Sequence, residues 1–129
     1  MKYQNVLIID DDQDDREIFL EAVKDVSSHI NCIPFSDGET ALEKLKQKAI
    51  MADAIFLDLN MPRMTGMEFL QHTRNNETLK NIPIIVYSTS SYIEATRLNT
   101  AGATDFITKP DNYYDLVQIL RNHLVQADA

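Results

Sequence analysis

"FLDLNMPRMTG", residues 56–66, is the stretch on which the fold turns. An apolar run ends on Asp58, and the chain then breaks at Asn60-Met61-Pro62 and turns at Thr65-Gly66. A carboxylate at the last position of an apolar run is unfavourable unless something answers its charge. Proline cannot continue a strand ladder, and glycine permits a tight turn. The stretch therefore reads as a strand that delivers Asp58 to a rim and then gives way to a helix.

The same alternation recurs on both sides. Strand-like runs lie at Val6–Ile9, Ile30–Phe35, Ala54–Leu59, Ile82–Tyr87 and Thr104–Thr108. Between them apolar residues fall at helical spacing. Ile18, Ala22 and Val26 recur with Phe19 and Val23 alongside; Ala41, Leu42, Leu45 and Ala49 form a second stripe; Leu116, Ile119, Leu120 and Leu124 form the last. Ser36-x-x-Glu39, Thr65-x-x-Glu68 and Ser91-x-x-Glu94 each read as a capping box that opens a helix. Five strands alternating with five helices predict an α/β fold, a doubly wound parallel sheet of the flavodoxin-like (βα)5 kind with strand order 2-1-3-4-5. Continuous apolar runs suit strands covered on both faces. Ligands in such sheets bind beyond the carboxyl ends of the strands, so the residues after each strand form one candidate site.

Bulk properties narrow the function classes. The chain has 129 residues, enough for one domain with a real core, and is 44% hydrophobic and 25% charged. A formal charge of −8 disfavours nucleic acid and anionic membrane surfaces, both of which need Lys and Arg. No apolar run approaches the ~18 residues of a membrane span. The opening "MKYQNVLIIDDDQDD" has too short an apolar patch for a signal-peptide core. Cys32, the single cysteine, cannot form an internal disulfide and reads as a small core residue in a reducing, cytoplasmic compartment. There is no internal repeat, low-complexity tract or linker.

At the carboxyl ends lie Asp10, Asp11 and Asp12 after strand 1, Asp58 and Asn60 after strand 3, Ser88, Thr89 and Ser90 after strand 4, and Lys109-Pro110 after strand 5. Strand 2 offers only Ser36 and Asp37, which a helix cap explains. Crowded carboxylates repel, so either one holds a proton or a cation neutralises them. Carboxylate oxygens suit Mg²⁺, which keeps waters free for a phosphate oxygen. Ser88 adds a hydroxyl and Lys109 a mobile ammonium. Such a set accommodates a phosphoryl group, and Asp58 can itself attack phosphorus to give an aspartyl phosphate.

Four blocks carry a family resemblance: "VLIIDDDQDD", "FLDLNMPRMTG", "IIVYSTSS" and "TDFITKP". In order and placement they resemble the signature blocks of the receiver domain of two-component response regulators, over roughly residues 4–126. In length the chain is most similar to single-domain regulators of the chemotaxis type, which lack an output domain. The resemblance implies a role for each matching residue. Asp58 would be the phosphoacceptor. Asp10 and Asp11 would be the acidic pair, with Asp11 binding Mg²⁺ directly and Asp10 chiefly through water, and Asn60 would offer its backbone carbonyl to the metal. Lys109 would pair with the phosphoryl group, Ser88 would move toward it, and the Phe106 ring would turn inward as Ser88 moves. Lys109-Pro110 would be joined by a cis peptide. Ser90 sits where the family tunes phosphoryl lifetime, and a small polar residue there implies that self-dephosphorylation is not strongly blocked. The segment Ser88–Ala101 is about one residue shorter than is common in the family.

The implied function is a signalling switch. A histidine kinase or histidine phosphotransfer protein would donate to Asp58, and the face formed by the fourth helix, fifth strand and fifth helix would then change its population for an unnamed downstream protein. The chain would be a monomer or weak dimer and would act on no outside substrate. Two other readings compete. Asp10-x-Asp12 resembles the nucleophile motif of haloacid-dehalogenase-type phosphatases, but the chain has little room for a substrate cap and "DLNMPRMTG" would have no role. A phosphorylation-independent interaction module would be expected to have lost one of Asp10, Asp11, Asp58, Ser88 or Lys109.

Several features have plainer explanations. The run of three acids leaves Asp11/Asp12 as an alternative register to Asp10/Asp11, and Thr89 competes with Ser88. Asp14, Asp15 and Glu17 read as acids favoured at a helix start by its dipole. His29, His72 and His123 have no metal-ligand spacing. Met61, Met64 and Met67 suit loop packing as well as a contact surface, and Tyr113 and Tyr114 suit packing as well as a partner.

Overall fold

The computed structural model describes residues 3–89, 97 and 101–125. Five strands, β1 (Asn5–Ile9), β2 (Asn31–Phe35), β3 (Ala54–Leu57), β4 (Ile84–Ser88) and β5 (Asp105–Thr108), form one sheet in the order β2-β1-β3-β4-β5. Every pairing is parallel. The helices among the described residues are α1 (Gln13–Val26), α2 (Gly38–Lys46), α3 (Gly66–Arg74) and α4 (Tyr113–Leu124). The predicted α/β class and strand order are both found.

Successive strand residues point to opposite faces, and both faces are covered. Val6, Ile8, Phe56 and Ile85 pack with Phe19, Ala22 and Val23 of α1 and with Leu116 and Leu120 of α4. Leu7, Ile9, Ile55 and Leu57 pack on the other side with Ala41 and Leu42 of α2 and with Phe69 and Leu70 of α3. β3 and β4 are buried along their whole length, whereas the outer strands β2 and β5 are half-exposed. The Phe19 ring lies 5.0 Å from Phe56 and 5.4 Å from Tyr87, locking α1 onto β3 and β4. Truncating such a ring to alanine costs about 3–5 kcal/mol.

Several local expectations are corrected. Asp37, not Ser36, caps α2: its carboxylate accepts the Thr40 N–H at 2.7 Å, a charge-assisted bond at the positive end of the helix. The Thr65/Glu68 capping box is present in full. Ser91, Glu94 and the helix expected to start there lie outside the described residues, as does Ser90. Ile18 is 47% exposed, because the buried stripe of α1 runs through Phe19, Ala22, Val23 and Val26. Ala49 lies beyond the end of α2 and is exposed; Lys48, at φ 60°, has already left helical geometry. Cys32 sits half-buried on edge strand β2 against the α1 side of the core, and burial pushes its thiol up to about 12. Met61 is buried and Met64 and Met67 pack partly against the α2–α3 side, so these residues serve loop packing. His29 and His72 are exposed, while His123 Nε2 lies 3.0 Å from Asp105 Oδ2.

Candidate functional site

The sheet holds the predicted site residues by their backbones. Asp10 follows β1, and its N–H donates to the Phe35 carbonyl at 3.1 Å. Asp58 follows β3, and its N–H donates to Ile9 at 2.9 Å. Lys109 follows β5 and donates its N–H to the Ser88 carbonyl at 2.9 Å. Each residue therefore occupies one more rung of a parallel ladder, which fixes where its side chain leaves the rim. Asp10, Asp58 and Ser88 are the buried polar side chains at this end of the sheet.

Carboxylate oxygens of Asp10, Asp11 and Asp58 lie within 4.8 Å of one another. Lys109 Nζ stands among them, 2.9 Å from Asp10 Oδ2 and 3.7 Å from Asp58 Oδ2. It is closer still, 2.8 Å, to Asp15 Oδ2 in the first turn of α1. The ammonium also lies 5.5 Å from the centre of the Tyr87 ring. Burial pushes the Asp10 carboxyl above the usual range, against the bonds from Lys109 and from the Asp12 N–H that favour its charge. Burial likewise opposes charge on Lys109, but its bonds to Asp15 and Asp10 outweigh that and hold the ammonium above the ordinary lysine range.

The arrangement separates the three acids that follow strand 1. Asp10 is wholly buried, Asp11 is exposed within the cluster, and the Asp12 carboxylate accepts the Asp15 N–H at 3.0 Å as the N-cap of α1. Asp12 is thereby engaged at the helix end, which leaves the Asp10-x-Asp12 phosphatase pair without its second member at the cluster. Ser88 is buried at the end of β4, whereas Thr89 is exposed. The Asn60 N–H reaches Asp58 Oδ1 at 3.3 Å. Phe106 is half-buried on β5 beside Val86 and packs on the α2–α3 side. The expected cis bond before Pro110 is not present; the peptide is trans, the isomer favoured by about 0.5–1 kcal/mol before proline.

Two contacts were not legible in the sequence. Asp15 reads there as a helix-dipole acid, yet it is the nearest partner of Lys109 across 94 positions. Arg16 Nη1 donates to the Asp10 carbonyl at 2.8 Å and ties the start of α1 to the rim. Asp15 lies in the first turn of α1 beside the rim, but no local pattern pairs it with a lysine so distant in sequence.

This donor set suits a hard divalent cation. Two oxygens on one Mg²⁺ at ~2.1 Å lie roughly 3–4 Å apart, close to the spread seen here. Among the described residues, one ammonium lies within 3.7 Å of Asp10, Asp15 and Asp58, and Asp11 joins the carboxylate cluster, leaving an excess of negative charge that a cation would offset.

The sequence pattern of the response regulator receiver domain matches residues 6–121. The chain belongs to that family. This receiver is 36% identical over 107 residues to the sensor histidine kinase CheAY of Helicobacter pylori, a match that covers 81% of the receiver and 13% of the kinase. The receiver thus spans only about an eighth of that relative's length. Among solved structures it is similar to the phosphorylated cyanobacterial phytochrome response regulator RcpA, with TM-score 0.87, 26% identity and coverage of 98% and 97% of the two chains. It is similar also to the Mn²⁺-bound form of response regulator Rcp1, with TM-score 0.83, 26% identity and 96% coverage of each chain. Receiver domains are signalling domains of two-component systems, and their acidic pockets bind Mg²⁺ or Mn²⁺. Among the described residues of this receiver no helix is long and apolar enough to cross a membrane.

Proposed function

We propose that this receiver takes one phosphoryl group onto Asp58 from the phosphohistidine of a histidine kinase or phosphotransfer protein, and that the modified form binds a downstream protein. The observation that carries the reading is the meeting of Asp10, Asp11, Asp58 and Lys109 at one rim from three separate strand ends. A carboxylate oxygen of Asp58 attacks phosphorus as the P–N bond to the donor histidine breaks. The electron pair leaves on the imidazole, which is neutral when its other nitrogen carries a proton. Hydrolysis returns the Asp58 carboxylate and inorganic phosphate.

Held by Asp10, Asp11 and Asp58, with the Asn60 carbonyl as a further donor, Mg²⁺ would screen the carboxylates and draw charge from the phosphoryl oxygens. Lys109 gives its ammonium to the same oxygens, and the Ser88 hydroxyl moves to them from the end of β4. Movement of Ser88 opens space on β4, and Phe106 turns into it from β5. The change is then read on the face made by β5, α4 and the segment between β4 and β5. The net charge of −8 speaks against nucleic acid as the target, so the output is a protein contact. The free Cys32 thiol suits the reducing cytoplasm in which such a switch would work.

Incubation with acetyl phosphate and Mg²⁺, read by intact mass, tests the proposal. The parent should gain one phosphoryl group that hydroxylamine removes. Asp58→Asn, or the parent in EDTA, should gain none. Phosphorylation that persists in Asp58→Asn would refute the assignment.

A further inference from the structure

We propose that Asp15 is a positioning residue that tethers Lys109 in the resting receiver, and that this tether must be released before Lys109 can serve a phosphoryl group on Asp58. The inference rests on the phosphoacceptor reading above and deepens it. An ammonium has three donors. Lys109 directs two of them at Asp15 and Asp10, at 2.8 and 2.9 Å, while Asp58 lies at 3.7 Å, beyond hydrogen-bond reach. The group that the site needs at the acceptor is therefore engaged elsewhere at rest.

The two engaged carboxylates differ in kind. Asp10 is wholly buried on the sheet rim and belongs to the acidic cluster. Asp15 is outside that cluster and its side chain is 40% exposed, against 14% for Lys109. It is carried by the first turn of α1, where Asp12 caps the helix through the Asp15 N–H and Arg16 grips the Asp10 carbonyl. Among the described residues, the Asp15–Lys109 bond is thus the one link from the ammonium to a helix rather than to the rim. Because Asp15 is partly hydrated, water can replace Lys109 on its carboxylate with little penalty, which makes this the bond that gives way. A phosphoryl group offers Lys109 up to two negative charges at a buried site, a stronger partner than a hydrated carboxylate. Transfer of Lys109 from Asp15 to the phosphoryl group would also loosen α1 from β5.

The test compares the parent with Asp15→Asn, Asp15→Glu and Asp14→Asn. Asp14→Asn removes the same charge from the solvent side of the same turn. Beryllofluoride with Mg²⁺ serves as the phosphoryl mimic, its affinity is measured by calorimetry, and thermal melts confirm folding. In the unliganded proteins, proton-detected NMR of the lysine ammonium group reports on Lys109 directly. Asp15→Asn should tighten beryllofluoride binding by about two- to fivefold, the scale of one partly exposed ion pair, and should speed proton exchange at Lys109 Nζ. Asp15→Glu should restore both values toward the parent, and Asp14→Asn should change neither. A parent that binds the mimic while Asp15→Asn binds it no more tightly, or leaves the Lys109 signal unchanged, overturns the tether alone. An equal effect from Asp14→Asn does so too, since the charge and not the contact would then be responsible. A parent that binds no mimic overturns the phosphoacceptor reading together with the tether.

Discussion

Replacing Gly66 by alanine would place a methyl carbon 2.8 Å from the Asp58 carbonyl oxygen, 2.8 Å from Leu59 Cα and 2.9 Å from Leu59 Cδ2. Two of those neighbours are backbone atoms and cannot swing aside. Ordinary carbon contacts begin near 3.5 Å, so the end of β3 and the start of α3 would have to part by about 0.7 Å. The Gly66 N–H that donates to the Leu59 carbonyl at 3.1 Å resists that movement. Overpacking of this kind costs about 1–3 kcal/mol, and contact with backbone puts this case near the upper end, about 2–3 kcal/mol. For a domain of this size the loss lowers Tm by about 8–12 °C. Asp58 moves with the strand end, and displacement of a reacting group by a fraction of an ångström slows transfer by about tenfold or more. Urea unfolding and acetyl phosphate kinetics measure both effects. Gly38→Ala is the control, because the three atoms nearest its added carbon belong to the side chains of Phe69, Met64 and Met61, at 3.2 to 3.7 Å. A Gly66→Ala protein as stable as the parent, and phosphorylated as fast, would refute the claim that this glycine sets the position of Asp58.

Three further outcomes follow from the charge balance at the rim and the buried thiol. Mg²⁺ at ten times its Kd should stabilise the receiver by about 1.4 kcal/mol, with the gain reversed by EDTA and lost in Asp11→Ala; melts that do not respond to Mg²⁺ would contradict the metal assignment. Burial raises the folded-state pKa of Asp10, so stability from this group is present at low pH and is lost as pH rises from 3.8 through the folded value. Asp10→Asn should therefore raise metal-free stability at pH 7 while abolishing the Mg²⁺ response, and a destabilised variant would contradict it. Cys32 is raised from 9.0 to about 12, so the native state keeps a proton that the unfolded chain releases, and stability falls as pH rises through that window. Cys32→Ala should flatten the fall by up to about 1.4 kcal/mol per pH unit; unchanged alkaline unfolding curves would contradict the assignment.

The fold was legible because its strands are apolar runs and its turns are marked. Val6–Ile9 and the run ending at Leu57 are buried on both sides, and a strand so placed must be apolar throughout. Asp10, Asp58, Ser88 and Lys109 were legible as strand-end residues, because a parallel sheet brings its carboxyl ends to one rim. Finer choices were set by contacts between distant segments. Ile18 and Phe19 both fit a helical stripe, and only the position of Phe56 and Tyr87 shows that Phe19 faces the core. Ser36 and Asp37 both fit a cap, and the register of α2 selects Asp37. Asp15 was read as a helix-dipole acid because its partner Lys109 lies on the far side of the sequence.

The central claim is that Asp58 alone accepts the phosphoryl group. Borohydride reduces an aspartyl phosphate to homoserine, and peptide sequencing by mass spectrometry then locates the altered residue. After treatment with acetyl phosphate and Mg²⁺, homoserine should appear at position 58 and at none of the other aspartates. Homoserine at position 10 or 12, with position 58 unaltered, would contradict the account and favour the phosphatase-like reading in its place.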